Sequence, residues 1–218
     1  MPEAISLETT DGVSLEGQVD SPTGGLPRRA GMVLCHPHPQ FGGSMRSLVI
    51  SALFEALPRA GVECLRFNFR GVEGSAGEYG HGDSERLDAH AAVDFLSGRR
   101  PVGTPLILTG WSFGADVALS CAEPAIAGWL LIASPLRYCR DPERVTDDPR
   151  PKYVVLAQHD EFRAADEVAR EIESWRNASV HVVGGASHFF VGRTDHVIAH
   201  ALAFVDSLTG EPTDRTAS

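Results

Sequence analysis

Leu106-Ile-Leu-Thr-Gly-Trp-Ser-Phe-Gly114 is the stretch that decides the fold of this chain. It joins an apolar run to the motif G-x-S-x-G, and residues 115–119 are typical of the start of a helix. A strand that turns into a helix through this motif is the context of a nucleophile elbow. The turn is so tight that positions 110 and 114 must be nearly free of side chain, which explains both glycines. We predict that Ser112 stands at the apex, at the positive end of a helix dipole.

Around this stretch the chain alternates strand and helix patterns. An Asp11-Gly12 turn predicts an antiparallel hairpin near the start. We predict further strands at residues 31–35, 62–69, 106–108, 129–133, 153–157 and 180–183, and helices near 46–60, 84–96, 115–119, 164–175 and 194–208. The sequence therefore predicts an α/β fold, with a mostly parallel sheet covered by helices on both faces.

The composition limits the classes of function. The chain has 218 residues and a net charge of −10 without any run of Lys or Arg, which argues against binding to nucleic acid or to an anionic membrane. Its four cysteines are scattered, no apolar run is long enough to span a bilayer, and the first residues lack the regions of a signal peptide. We expect a cytoplasmic protein with one domain at residues 1–208 and a polar, mobile tail at 209–218.

A serine hydroxyl needs an imidazole to take its proton and a carboxylate to orient that imidazole. Of the nine histidines, His188 fits best, because residues 184–187 are predicted to form a loop at the carboxyl end of a strand. Phe189 and Phe190 follow it and can pack apolar surface against its ring. For the acid, Asp160 follows the strand at 153–157, whereas Glu161 and Asp141 are the competitors.

The loop after the first buried strand reads His36-Pro-His-Pro-Gln-Phe-Gly-Gly-Ser44. Such a loop supplies one N–H donor for a tetrahedral oxyanion, and the amide of Phe113 supplies the other. The two prolines have no N–H, so the donor is His38 or a residue from Gln40 onward. A metal site at the two histidines is the alternative. Side chains two apart diverge in an extended segment and no further ligand lies near, so we predict no metal.

These motifs carry a resemblance to a known family. Residues 35–45, 65–71, 110–114, 160–162 and 185–190 are similar to those of small bacterial α/β-hydrolases of the dienelactone-hydrolase-like kind, and the likeness extends from about Ser6 to Leu208. The H-P-H-P-x-x-G-G-S segment is its most specific part. The resemblance implies the α/β-hydrolase fold, in which the triad residues follow the chain order Ser, Asp, His.

By this resemblance Ser112, Asp160 and His188 form the triad, and His38 supplies the oxyanion donor beside Phe113. Many relatives have Gly where this chain has proline before His38. Dienelactone hydrolases proper use a cysteine nucleophile, so their substrate does not carry over to a chain with serine at the elbow.

The resulting hypothesis is a serine hydrolase that cleaves a carboxylic ester through an acyl-enzyme, without a cofactor. A thioester is a chemically close alternative. A lyase or cyclase on the same scaffold is another, because a fold does not fix a function. A catalytically silent binding protein is disfavoured by the complete triad. The expected partner is a small-molecule ester, and a homodimer is compatible with the sequence.

Many relatives insert a helical cap after the strand equivalent to 129–133. Here only residues 134–152 separate that strand from the next, which is too short for a substantial cap. We therefore expect a shallow site that prefers short acyl groups. The expected substrate contacts are His36, Phe41, Trp111 and Phe189.

The loop at residues 137–144 could cover part of such a site. Its Arg137 and Arg140 would then meet an anionic substrate. The alternative, which the sequence favours, is a solvated surface loop.

Overall fold

A computed structural model describes residues 2–210 of the chain. An eight-stranded sheet forms its centre, in the order β1-β2-β4-β3-β5-β6-β7-β8. The strands are β1 (Glu3–Glu8), β2 (Ser14–Asp20), β3 (Ala30–Cys35), β4 (Val62–Phe67), β5 (Leu106–Trp111), β6 (Gly128–Ile132), β7 (Lys152–His159) and β8 (Ala178–Ser187). Strands β1 and β2 form the predicted antiparallel hairpin, β2 pairs antiparallel with β4, and all other pairs are parallel.

Helices cover both faces of this sheet. They are α1 (Leu48–Ala56), α2 (Glu85–Arg99), α3 (Phe113–Ala118), α4 (Glu143–Thr146), α5 (Ala165–Ile172) and α6 (Thr194–Thr209). Helices α2, α3 and α5 contribute to the hydrophobic core on one face, and α1 and α6 to the core on the other. Side chains of β3 alternate between these cores, with Val33 on one side and Met32 on the other. The predicted α/β-hydrolase fold is confirmed.

The fold places the ends of the parallel strands at one edge, where loops can bring chemistry together. Between β6 and β7 the chain holds only the single turn of α4, so this connection forms no cap domain. No helix among residues 2–210 combines the length and the apolar character that a membrane span requires.

Several element boundaries differ from the sequence predictions. The predicted helix at 46–60 is α1 followed by a short 3-10 helix, Leu57–Ala60, because Pro58 cannot continue an α-helix. Residues 184–187 are not a loop, since β8 continues to Ser187 through a register shift against β7. The tail predicted from 209 overlaps α6, which ends at Thr209, and residues 211–218 lie outside the described residues.

Candidate active site

The elbow joins β5 to α3 in the geometry that the motif predicts. Ser112 has φ 56° and ψ −121°, a conformation that a residue with a side chain adopts only under strain. A Cβ at Gly110 would lie 2.1 Å from the carbonyl oxygen of Gly114, and one at Gly114 would lie 2.3 Å from the oxygen of Cys35. Both glycines are therefore required for the turn to close beneath the serine.

A chain of hydrogen bonds links the serine to an imidazole and a carboxylate. Ser112 Oγ lies 2.9 Å from Nε2 of His188, and Nδ1 of that ring lies 2.8 Å from Oδ2 of Asp160. The imidazole is 5% exposed and the carboxylate 8%, so both are largely shielded from water. Asp160 Oδ1 also accepts from the amides of Phe162 and Arg163, which fixes the carboxylate. The three residues that we predict for catalysis thus lie within hydrogen-bonding distance in the required order.

Two further residues hold the backbone of His188. Its amide donates to Oε2 of Glu161 at 2.9 Å, and its carbonyl oxygen accepts from the indole Nε1 of Trp111 at 3.1 Å. Glu161 competes with Asp160 for the role of acid in the sequence, but its carboxylate contacts the main chain and not the ring. Within the described residues no hydrogen bond joins the third candidate, Asp141, to His188.

His38 and Phe113 both line the space next to Ser112. Phe113 opens α3, so its amide has no acceptor inside the helix and is available to a ligand. The His38 ring accepts from the amide of Gln40 at Nδ1, which leaves the proton on Nε2 to donate to Tyr79 Oη at 3.0 Å. Burial lowers the pKa of His38 and raises the pKa of Tyr79 to about 12, so both rings are neutral at pH 7. These contacts fix the loop that carries the predicted oxyanion donor.

His36 does not lie where the sequence analysis places it. Its side chain is fully buried and is not among the residues that line the space above Ser112. Nδ1 donates to the carbonyl oxygen of Pro37 at 2.6 Å, and Nε2 accepts from the amide of Phe69 at 3.0 Å. Because both ring nitrogens are engaged inside the protein, the predicted contact between His36 and substrate is replaced by a structural role.

This burial makes His36 a source of acid sensitivity. Desolvation lowers its pKa from 6.5 to about 4, so the unfolded chain binds more protons than the folded one between these values. The free energy of unfolding must then fall as the pH falls through that window, by about 2 kcal/mol from this residue between pH 7 and pH 5.

We expect His36→Gln, which keeps an acceptor for the Phe69 amide, to lose about 2 kcal/mol less than the wild type between pH 7 and pH 5. Urea unfolding at both pH values measures the two differences. In the wild type, the NMR signal of the His36 ring should not titrate above about pH 5. A ring that titrates near pH 6.5, or an equal loss in both proteins, would contradict this account.

An open cavity of about 590 Å³ lies above Ser112. Several exposed hydrophobic side chains of the described chain form part of its lining: Phe41, Leu48, Phe162 and Phe189. Trp111 and Phe113 also line it but are nearly buried. The structure therefore brings the predicted contacts Phe41, Trp111 and Phe189 to one cavity.

Only one of the two phenylalanines after His188 packs against the imidazole ring. Phe189 lies 5.5 Å from the imidazole centroid, whereas Phe190 is fully buried in the core with α6. The second wall comes from Phe162, whose ring lies 4.5 Å from the imidazole in an edge-on arrangement. Phe162 comes two residues after Asp160 in the sequence, and this position could have identified it as a neighbour of the His188 ring.

Asp116 anchors one wall of the candidate site, and the sequence analysis missed it. Its buried carboxylate accepts from the amides of Leu136, Arg137 and Tyr138 and from the hydroxyl of Ser134. Burial raises its pKa, and these hydrogen bonds oppose that shift. Helix α3 thereby holds the loop that forms one wall of the cavity. An acid within the otherwise apolar start of α3 is the pattern that indicates such a role.

Comparison with known proteins places this geometry in a family. A family model described as "Alpha/beta hydrolase domain" matches residues 28–203. A protein of Rickettsia prowazekii is 31% identical over 173 residues, which cover 75% of this chain and 73% of that protein.

Solved structures agree with the family match. An alpha-beta serine hydrolase homologue from Coxiella burnetii is 28% identical, with a TM-score of 0.80 over 90% of this chain and 94% of that chain. An α/β serine hydrolase without lid from Xanthomonas campestris is 27% identical, with a TM-score of 0.82 over 96% of both chains. The chain is thus similar in sequence and fold to serine hydrolases.

Proposed function

This chain belongs to the alpha/beta hydrolase family, and we propose that it is a serine esterase that cleaves carboxylic esters with short acyl groups. The hydrogen-bonded series from Ser112 through His188 to Asp160, at the floor of an open cavity, is the observation that carries the proposal. We also propose that the chain belongs to the dienelactone-hydrolase-like kind, because it contains the H-P-H-P-x-x-G-G-S segment.

In the first half of the reaction, Ser112 Oγ attacks the ester carbonyl carbon while its proton passes to Nε2 of His188. Asp160 stabilises the imidazolium through its hydrogen bond to Nδ1. The negative oxygen of the tetrahedral intermediate accepts from the amides of Phe113 and His38. The intermediate collapses when the carbon–oxygen bond to the alcohol breaks, and the alcohol leaves with the proton from Nε2. The acyl group is then bonded to Oγ.

In the second half, water attacks the acyl carbon and gives a proton to His188. The same two amides stabilise the second oxyanion. Collapse of this intermediate breaks the bond to Oγ, returns the proton from Nε2 to Ser112 and releases the carboxylic acid. Each atom that enters is accounted for, so the cycle needs no cofactor.

The open rim supports the preference for short acyl groups. The short connection between β6 and β7 adds no cap above the cavity, and the rim side chain of Phe41 is 84% exposed. A methylene that stays in water contributes none of the roughly 0.8 kcal/mol that full burial provides. Chain extension beyond the cavity should therefore bring no gain in transition-state binding.

We expect kcat/KM to be highest for p-nitrophenyl acetate or butyrate and to be no higher for octanoate and palmitate. Full burial would instead raise kcat/KM about fourfold for each added methylene. Hydrolysis rates across this series, measured on the pure protein with detergent held constant, decide between the two. A steady rise to palmitate would contradict the short-acyl proposal, and no hydrolysis of any ester would contradict the esterase proposal itself.

A further inference from the structure

A single cationic side chain of the Lys and Arg type lies among the residues that line the cavity in the described chain, and it belongs to Arg137. The main-chain amide of Arg137 donates to Oδ2 of Asp116 at 2.7 Å, and its Nη2 donates to the carbonyl oxygen of Phe162 at 3.2 Å. Phe162 packs its ring on the His188 imidazole. The hydrogen bond to Phe162 places the guanidinium beside a residue that flanks the proposed catalytic histidine.

This guanidinium has no carboxylate partner at ion-pair distance within residues 2–210. By contrast, Arg163 pairs with Glu171 at 2.5 Å, and Arg150 pairs with Asp148 at 2.7 Å. A guanidinium has five N–H donors, and the carbonyl oxygen of Phe162 occupies one nitrogen of Arg137. Donors are therefore left for a ligand in the cavity.

The surroundings of the Arg137 guanidinium are negatively charged. The protein carries a net charge of −10, and the carboxylates of Asp160 and Glu161 both lie next to His188. An anionic substrate would be repelled from this site unless a local positive charge compensated. A neutral ester gains nothing from such a charge.

We propose that Arg137 binds a free carboxylate carried by the substrate, so that the preferred esters contain an acidic group as well as the scissile bond. The proposal rests on the esterase function above and specifies its substrate class. The planar guanidinium suits a carboxylate because two parallel N–H donors match its two oxygens. The carboxylate belongs either to the acyl part or to the alcohol part of the ester, and the experiment separates these two sources.

Arg140 provides a matched control in the same loop. Its Nη2 lies 3.4 Å from the carbonyl oxygen of His81. Both arginines are exposed, but Arg137 lines the cavity and Arg140 does not. Arg140→Gln removes the same charge from the surface as Arg137→Gln removes from the cavity. A general effect of net charge would therefore appear equally in both variants.

The test uses two pairs of esters that differ in one charge. Mono-4-nitrophenyl glutarate is compared with 4-nitrophenyl pentanoate for the acyl side, and 4-acetoxybenzoate is compared with its methyl ester for the alcohol side. In at least one pair, Arg137→Gln should lower the kcat/KM ratio of charged to neutral ester about fivefold, while Arg140→Gln leaves it unchanged. Salt at about 0.5 M should reduce the difference in this ratio between the wild type and Arg137→Gln.

An unchanged ratio in both pairs for Arg137→Gln would overturn the proposal, as would an equal fall in Arg140→Gln. A binding measurement keeps this result separate from the esterase function. Calorimetric titration with 4-acetamidobenzoate and mono-anilide glutarate, which are amide analogues of the charged esters, should show weaker binding of at least one of them by Arg137→Gln. If Arg137→Gln binds an analogue more weakly but the wild type hydrolyses no ester, the esterase proposal is wrong. If the wild type hydrolyses esters but Arg137→Gln binds both analogues as tightly as the wild type, the proposal for Arg137 is wrong.

Discussion

Replacing Ser112 by alanine is expected to lower ester hydrolysis on the order of 10⁴-fold or more. The reason is geometric, because Oγ is the atom that lies 2.9 Å from Nε2 of His188 and no other group takes its place. Alanine keeps the Cβ that the strained turn already accommodates, so the variant should fold like the wild type. The comparison is made by p-nitrophenyl acetate hydrolysis on proteins with matched circular dichroism and urea unfolding curves.

Reaction with a fluorophosphonate gives a second readout for the same variant. The wild type should gain one covalent label on the peptide that contains Ser112, and Ser112→Ala should gain none. Ser47 is the control, because it is another serine that lines the cavity but its hydroxyl accepts from the amide of Ser44. Ser47→Ala should label like the wild type. A label on Ser112→Ala, or an acyl-enzyme burst from it, would contradict the assignment of the nucleophile.

The residues that meet around Ser112 could be predicted because each follows an apolar strand. Asp160 comes directly after β7 and His188 directly after β8, and parallel strands end at the same edge of a sheet. The elbow adds a steric requirement that only glycine meets at positions 110 and 114. The order of these residues along the chain and their positions at strand ends therefore contain most of the information needed to predict which residues meet around Ser112.

The orientation of side chains within loops could not be predicted in the same way. His36 and His38 are two residues apart in one loop, yet the first is buried against Phe69 and the second faces the cavity. Similarly, Phe190 has φ 52°, and its side chain lies in the core while that of Phe189 lines the cavity. Such choices depend on tertiary packing, which composition and periodicity do not contain.

The wall formed by residues 134–138 depends on contacts that are distant in sequence. Asp116 accepts hydrogen bonds from amides 20 to 22 positions further along the chain. An isolated acid in an apolar segment indicates that a partner exists but does not identify it. The same holds for Arg137, whose contact with the carbonyl oxygen of Phe162 distinguishes it from Arg140.

Two adjacent carboxylates hold His188 at different atoms, and their substitution should have very different effects. Asp160 Oδ2 accepts from the ring Nδ1, so Asp160→Asn removes the charge that stabilises the imidazolium and presents an N–H donor that favours the wrong tautomer.

We expect Asp160→Asn to lose on the order of 10³- to 10⁴-fold in kcat. Glu161 Oε2 accepts from the amide of His188, and an amide oxygen accepts that bond equally well. Glu161→Gln should therefore stay within about tenfold of the wild type, because a neutral acceptor still holds the main chain. Steady-state kinetics with p-nitrophenyl acetate, on variants with matched unfolding curves, provide the comparison. The reverse ranking would transfer the orienting role to Glu161 and would mean that the hydrogen bond between Asp160 and the ring does not persist during turnover.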